Sequence, residues 1–300
     1  MREKVEYWLV RVLAGALGRT PRVVARRAAD LIAWFAYCVF GRLRRVGERN
    51  LAMALPELAE ENRRKILREV YRSLGWQLVE FCRMPRYTPE SVEGWIRTEG
   101  LEHYLGARAR GKGVLVLTGH LGAWELSSFF HSLMGHPMGM VIRRLDNRYL
   151  DRYVNEIRCL HGNIVLHKDD FARGLLTAMQ AGGTVGILMD TNLTPPQGVF
   201  TRFFGIEACT ASGLAHVALK TGAAVVPGFM VWEASEHRYV LHFGPELVIE
   251  GGQGAKEDVL TLTQRCNDVL ESWIRRYPGQ WLWIHRRWKT RPAGERGLYD

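Results

Sequence analysis

The sequence predicts an α/β fold: a mixed, mostly parallel sheet flanked by helices, preceded by an N-terminal helical segment that associates with membranes. Three observations carry this. From about residue 95, short apolar β-rich runs alternate with stretches of helical period, the pattern of a sheet covered by helices on both faces. Residues 1–90 read as helical. The first 50 residues hold 11 Lys/Arg against 4 Asp/Glu, in a chain of net charge +10.

In the N-terminal part, Ala28 to Phe40 (AADLIAWFAYCVF) is the strongest apolar run. It is too short to cross about 30 Å of hydrocarbon at about 1.5 Å per residue, and Asp30 lies inside it. Arg22, Arg26 and Arg27 precede it, and Arg42, Arg44 and Arg45 follow. An aromatic-rich segment between arginine clusters suits a helix lying in an anionic interface. Next, Glu60 to Glu80 carries Ile66, Leu67, Val70, Tyr71, Leu74 and Leu78 at helical spacing. Pro56 and Pro85 bracket that helix.

The α/β part then runs in order. Residues 113–119 (GVLVLTG) form a buried strand, with a helix from about Ala123. Residues 138–143 form a second strand, Asn147 to Cys159 a helix, and 163–167 a third strand. A helix from Asp169 to Ala181 has the aspartate at its cap. Residues 184–190 form a fourth strand, and Thr210 to Lys220 a helix closed by Gly222. Two more strands, 224–232 and 239–243, precede a long helix from Glu257 to Tyr277. This divides the chain into a helical segment, 1–90, and an α/β domain, 91–300.

Composition narrows the function classes. A chain 47% hydrophobic and 24% charged can build a full core, which excludes a disordered protein. Its five cysteines form no CxxC pair, which argues against a disulfide framework or a structural zinc site. The basic balance suits nucleic acid, an anionic membrane or an acidic ligand. No helix-turn-helix, zinc-finger or RNP signature accompanies it, so nucleic acid is not expected.

The sharpest chemical feature is Thr118-Gly119-His120-Leu121-Gly122-Ala123-Trp124-Glu125. Sites in open α/β sheets lie beyond the carboxyl ends of the strands, which puts His120 at the ligand-binding rim. On one regular helix a spacing of five would set His120 and Glu125 about 140° apart. If His120 precedes the helix, Glu125 can reach back and hold the imidazole, leaving it to take a proton from an alcohol. Alone, HxxxxE is a weak signal.

Its surroundings make it specific. VLTGHLGAWEL resembles the HxxxxE block of the lipid A biosynthesis acyltransferases (lauroyl/myristoyl type), within the lysophospholipid acyltransferase superfamily. ERNLAMALPEL (48–58), YRSLGWQLVEF (71–81), MDTNLTPPQGVFTRFFGIEACTASG (189–213), TGAAVVPGF (221–229) and QWLWIHRRWKTRP (280–292) resemble further blocks of that family, in order.

The resemblance implies a glycerolipid acyltransferase-like fold and an O-acyltransferase. It would carry a fatty acyl chain from acyl carrier protein, or possibly CoA, to a hydroxyl of a lipid A precursor or related glycolipid, with no metal or organic cofactor. The setting would be the cytoplasmic face of the inner membrane, held peripherally or by one N-terminal anchor. His120 would be the general base and Glu125 its partner. Arg143 and Arg158, near arginines of the family, would bind a phosphate or steady the thioester oxyanion. Asp190, which ends a strand, would orient an arginine or bind the acceptor. Gly198, Phe204 and Gly205 would shape an apolar wall near the acyl channel. Two alternatives stay open: a phosphatidylinositol mannoside or other glycolipid or lysophospholipid acyltransferase, and a noncatalytic membrane-binding scaffold.

Overall fold

Strand alternation divides the sheet residues between two layers. We describe a computed structural model covering residues 1–167, 171–248 and 256–299. Val114 and Val116 of β2 (Val114–Thr118) face one layer, and Leu115 and Leu117 the other. Both sets are buried, as expected for a strand covered on both faces. The first layer packs on α6 (Leu101–Ala109), α7 (Trp124–Leu133) and α8 (Arg148–Arg158). The second packs on α9 (Phe171–Gln180), α10 (Gly213–Thr221) and α11 (Lys256–Arg276).

The seven-stranded sheet has the order β1-β9-β8-β2-β5-β3-β4. Its strands are β1 (Ile96–Glu99), β2, β3 (Gly139–Ile142), β4 (Ile164–His167), β5 (Thr184–Leu188), β8 (Ala224–Glu233) and β9 (Arg238–Phe243). All neighbours pair in parallel except β8 with β9. The expected mixed, mostly parallel sheet is therefore present.

Some boundaries differ from the sequence reading. β1 and α6 were not expected. Thr210 belongs to strand β7 (Ile206–Ala211), which pairs antiparallel with β6 (Gly198–Phe203), so α10 begins only at Gly213. This separate hairpin turns through Phe204 and Gly205, both at positive φ. A phenylalanine rarely adopts that conformation, which hid the turn. Asp169, expected at a helix cap, lies outside the described residues.

The N-terminal residues form α1 (Arg2–Arg19), α2 (Arg22–Val39), α3 (Gly41–Ala54) and α4 (Glu60–Arg83), followed by the short α5 (Pro89–Val92). Ala25, Ala29 and Ala33 bury one side of α2. Deeper in, Glu80 of α4 is fully buried and clamps the two helices. Its carboxylate accepts from Arg22 at 2.8 and 3.1 Å, from Arg26 at 2.8 Å and from the Tyr87 hydroxyl at 2.5 Å. The price of that clamp falls on Leu78, expected inside and found 56% exposed.

The other sides of α1 and α2 are open. Trp8, Leu9 and Leu13 of α1 and Ile32, Trp34 and Phe35 of α2 are each about 60% exposed. Among the described residues no helix is long and apolar enough to cross a membrane.

Candidate active site

β2 and β5 are neighbouring parallel strands whose register sets Thr118 opposite Leu188. Two residues beyond each strand end, the chain presents His120 and Asp190 at the same rim. His120 Nδ1 donates to Asp190 Oδ1 at 2.8 Å, and the His120 amide donates to Oδ2 at 2.6 Å. Trp281 completes the ring, its indole Nε1 donating to the same Oδ2 at 2.7 Å. Nδ1 is thus the protonated nitrogen, and Nε2, with no hydrogen-bond partner among the described residues, is left to accept a proton.

The turn carrying His120 is fixed on all sides. The Gly122 amide donates to the Gln280 carbonyl at 2.9 Å, and the Ala123 amide to the Met230 carbonyl at 2.8 Å. Leu282 donates to the His120 carbonyl at 3.1 Å, and Gln77 Nε2 to the Gly122 carbonyl at 3.2 Å. Gly122 has φ +64°, and a Cβ there would stand 2.0 Å from the Met230 carbonyl oxygen. Gly119 leaves the room Asp190 fills, since a Cβ would come within 3.0 Å of that carboxylate.

Burial alone would neutralise both partners. Their attraction overrides it. Asp190, fully buried, is penalised by desolvation, yet the His120 charge and the hydrogen bonds it accepts hold it well below the usual carboxylate range. Desolvation likewise pulls the His120 imidazole down, but Asp190 raises it above the ordinary value, and Glu125 adds to that rise.

Glu125 occupies the first turn of α7. The sequence reading had it reach back to the imidazole. In the structure its hydrogen-bond partner is Arg158, at the end of α8, which donates from Nε to Oε2 at 2.8 Å and from Nη2 to Oε1. The reason is geometric: the adjacent strand delivers Asp190 to Nδ1 first, and α8 offers Glu125 a two-pronged donor. Both side chains are largely buried. Desolvation opposes the Arg158 charge, and Glu125 more than restores it. Beside this pair opens a narrow apolar cavity of about 60 Å³, whose lining includes Thr118, Trp124, Glu125, Met140, Arg158 and Leu188.

Of the other expected residues, Arg143 stands apart. Its side chain is 84% exposed and pairs with Asp146 at 3.5 Å, because β3 ends one residue earlier and releases it to solvent. Gly198, Phe204 and Gly205 sit on the β6–β7 hairpin and do not line the cavity beside Glu125. Phe204 packs on Trp281 and Trp283, so the hairpin backs the indole that holds Asp190.

Trp281 and His285 were not anticipated. His285 Nε2 accepts from the Asn192 amide at 3.1 Å, next to the strand end that carries Asp190. The signal lay in QWLWIHRRW: three tryptophans of this basic stretch, Trp281, Trp283 and Trp288, are among the most buried side chains, where a surface strip would have exposed them.

The model of a family described as bacterial lipid A biosynthesis acyltransferase matches residues 1–290. The lipid A biosynthesis palmitoleoyltransferase of Escherichia coli (strain K12) is 32% identical over 256 residues, covering 85% of this chain and 81% of its own. The lauroyltransferase of the same organism is 27% identical over 297 residues (98% and 95%), and the myristoyltransferase 23% over 246 residues (82% and 75%).

Proposed function

Since the chain belongs to the bacterial lipid A biosynthesis acyltransferase family, we propose that it transfers a fatty acyl group from a thioester to a hydroxyl of a lipid A precursor, with His120 as general base. The donor is acyl carrier protein in preference to CoA. The observation that carries the mechanism is the His120–Asp190 pair: an imidazole locked by a buried carboxylate, its ring packed on Trp124, which is one wall of the apolar cavity.

The acceptor hydroxyl gives its proton to His120 Nε2 as its oxygen attacks the thioester carbonyl. The tetrahedral intermediate collapses, the C–S bond breaks, and the imidazolium returns the proton to the departing thiolate. Ester and thiol are the products. Asp190 holds the tautomer and steadies the imidazolium. Glu125 adds negative charge near the ring, and Arg158 fixes the Glu125 carboxylate. The apolar cavity beside them is the entry of the donor chain, and at about 60 Å³ it must widen as the chain enters, since ligand pockets hold about 300–1,000 Å³.

Residues 1–90 hold the α/β part, 91–300, on a membrane. The exposed apolar sides of α1 and α2, flanked by Arg27, Arg42 and Arg45, form a wide patch of the kind that seats a helix in an anionic interface. On this reading the chain sits peripherally at the cytoplasmic face of the inner membrane, and the exposed apolar patch beside arginines supports it.

The test is acyl transfer to a lipid A precursor in mixed micelles, with acyl carrier protein and CoA thioesters compared, read by mass spectrometry of the product. Wild type should form ester, and His120→Ala should lose about 10²–10⁴-fold in rate. Equal rates in both would remove His120 from the chemistry.

A further inference from the structure

His285 is tied to both halves of the His120–Asp190 pair. Its amide donates to the Leu282 carbonyl at 3.2 Å, and the Leu282 amide in turn donates to the His120 carbonyl at 3.1 Å. On the other side its Nε2 takes the amide of Asn192, two residues past Asp190, at 3.1 Å. This second imidazole has no part in the proton transfer described above.

All but one of its polar groups are engaged. The His285 carbonyl accepts from Asn50 Nδ2 at 2.7 Å and from the Arg287 amide at 2.9 Å. Asn192 is itself clasped to Thr290, donating from Nδ2 to Oγ1 and accepting at Oδ1 from the Thr290 amide, both at 2.9 Å. Nδ1 alone has no hydrogen-bond partner among the described residues, and on this partly exposed residue it is not sealed from solvent. An imidazolium has no lone pair to accept with, so the bond from Asn192 requires a neutral ring and puts its one proton on Nδ1. The surroundings agree. Burial pulls the His285 pKa below the ordinary value, Asp190 draws it back up and His120 pushes it down, so both members of the pair lie within range of the ring.

We propose that His285 is a second substrate-contacting residue, whose Nδ1–H donates to an oxygen of the lipid acceptor beside the hydroxyl that His120 deprotonates. The assignment rests on the acyltransferase reading of the His120 site. The two faces of the sheet decide which substrate the ring meets. Val116, which faces the α7 layer, lines the apolar cavity. The tail that carries His285 packs Trp281, Trp283 and Trp288 in the opposite layer, with Leu115 and Leu117. A donor chain entering through the cavity approaches His120 from the α7 side, which leaves the tail side to the acceptor. A neutral donor there holds a carbonyl or ether oxygen without competing with His120 for the proton. Its anchors at Asn192, Asn50 and Leu282 fix the ring before substrate arrives, so little orientational freedom is lost on binding.

The test is steady-state turnover of the full chain with the lipid A precursor and the acyl thioester varied separately, in wild type and in His285→Ala, His285→Asn and His285→Gln. His285→Ala should raise KM for the acceptor about three- to tenfold, the worth of one neutral hydrogen bond, and leave KM for the donor unchanged. Asparagine sets an N–H near the Nδ1 position, whereas glutamine sets an oxygen near Nε2 and restores only the Asn192 bond. Asparagine should therefore recover most of the acceptor KM, and glutamine little. Recovery by glutamine and not by asparagine would make His285 a prop for Asn192 and overturn the contact. So would an unchanged acceptor KM in His285→Ala, or a rise confined to the donor. Thermal midpoints check that the variants fold, and the asparagine and glutamine pair carries the comparison should the alanine variant not. Calorimetric titration of the same precursor in detergent repeats the ordering without turnover. A wild-type chain that binds the precursor with this ordering among its variants but transfers no acyl group would count against the acyltransferase reading alone.

Discussion

His120 and Asp190 are 70 residues apart in sequence, and each lies two residues past the end of one of two paired strands, so that strand register brings them to one rim, where Nδ1 and Oδ1 stand 2.8 Å apart. The sheet therefore gives the His120 imidazole its carboxylate, and Glu125 pairs instead with Arg158.

Asp190→Asn should keep the fold and lower kcat by about 10²–10⁴-fold, because the amide no longer enforces the Nδ1–H tautomer. It should also move the pH profile. In the wild type the imidazole is raised above its ordinary value, and only its neutral form is a base, so kcat/KM climbs with pH through that raised value. Without the Asp190 charge, desolvation dominates and the rise shifts to lower pH. A profile that stays in place would detach Asp190 from the titration.

Glu125→Ala and Arg158→Ala should be non-additive. Each leaves a largely buried charge without its partner, whereas the double variant leaves neither. A double-mutant cycle by urea denaturation should give a coupling of about 1–3 kcal/mol. The same cycle on kcat/KM should show that most of the loss from Arg158→Ala runs through Glu125. Strict additivity would mean the two act separately.

Filling the cavity beside Glu125 should shorten the preferred acyl chain. Gly186 lines it, and an added Cβ there meets only the Met138 sulfur at 3.2 Å. Gly186→Leu should shift donor preference toward shorter thioesters, read by competition between chain lengths. An unchanged preference would place the acyl chain elsewhere.

Membrane binding is better tested by point changes than by deleting residues 1–45, since deletion would strip Arg22 and Arg26 from the buried Glu80. Trp34→Glu with Phe35→Glu alters only exposed side chains. It should weaken binding to anionic vesicles at least tenfold, with the thermal midpoint nearly unchanged. Retained sedimentation with vesicles would move the contact to another surface.

Replacing Glu80 should be costly. Glu80→Leu leaves two largely buried arginines unpaired, a loss of about 3–5 kcal/mol. Desolvation raises the Glu80 pKa, yet its arginines hold it below the ordinary value. A carboxyl lowered on folding stabilises fully above its unfolded value and loses that contribution as pH falls through the folded one. Urea titrations across acidic pH should show this loss in the wild type and not in Glu80→Leu.

Much of this was legible in the sequence because apolar periodicity reports burial directly. The runs 113–119, 184–190 and 224–232 each mark a strand, and their order with the helices between them gave the parallel sheet. Asp190 was recognised as a strand-end group at the His120 rim. Its bond to the imidazole was not, since which strands are neighbours is a property of the sheet order and cannot be read from spacing. Glu125 was credited with that role for the converse reason, being close in sequence. The β6–β7 hairpin was missed because its tip uses Phe204 where turn chemistry expects Gly or Asn, and Trp281 because its burial comes from that hairpin closing over it.

The indole that completes the carboxylate's ring of donors comes from Trp281, 91 residues after Asp190. During synthesis the imidazole and its carboxylate are made long before that last donor emerges. A nascent chain that has folded its central strands still has an Asp190 open to water, and the His120 turn lacks the cover of residues 280–282. The candidate site is thus complete only once residues 280–282 are in place, so a protein truncated before residue 281 should fold much of its sheet and remain inert.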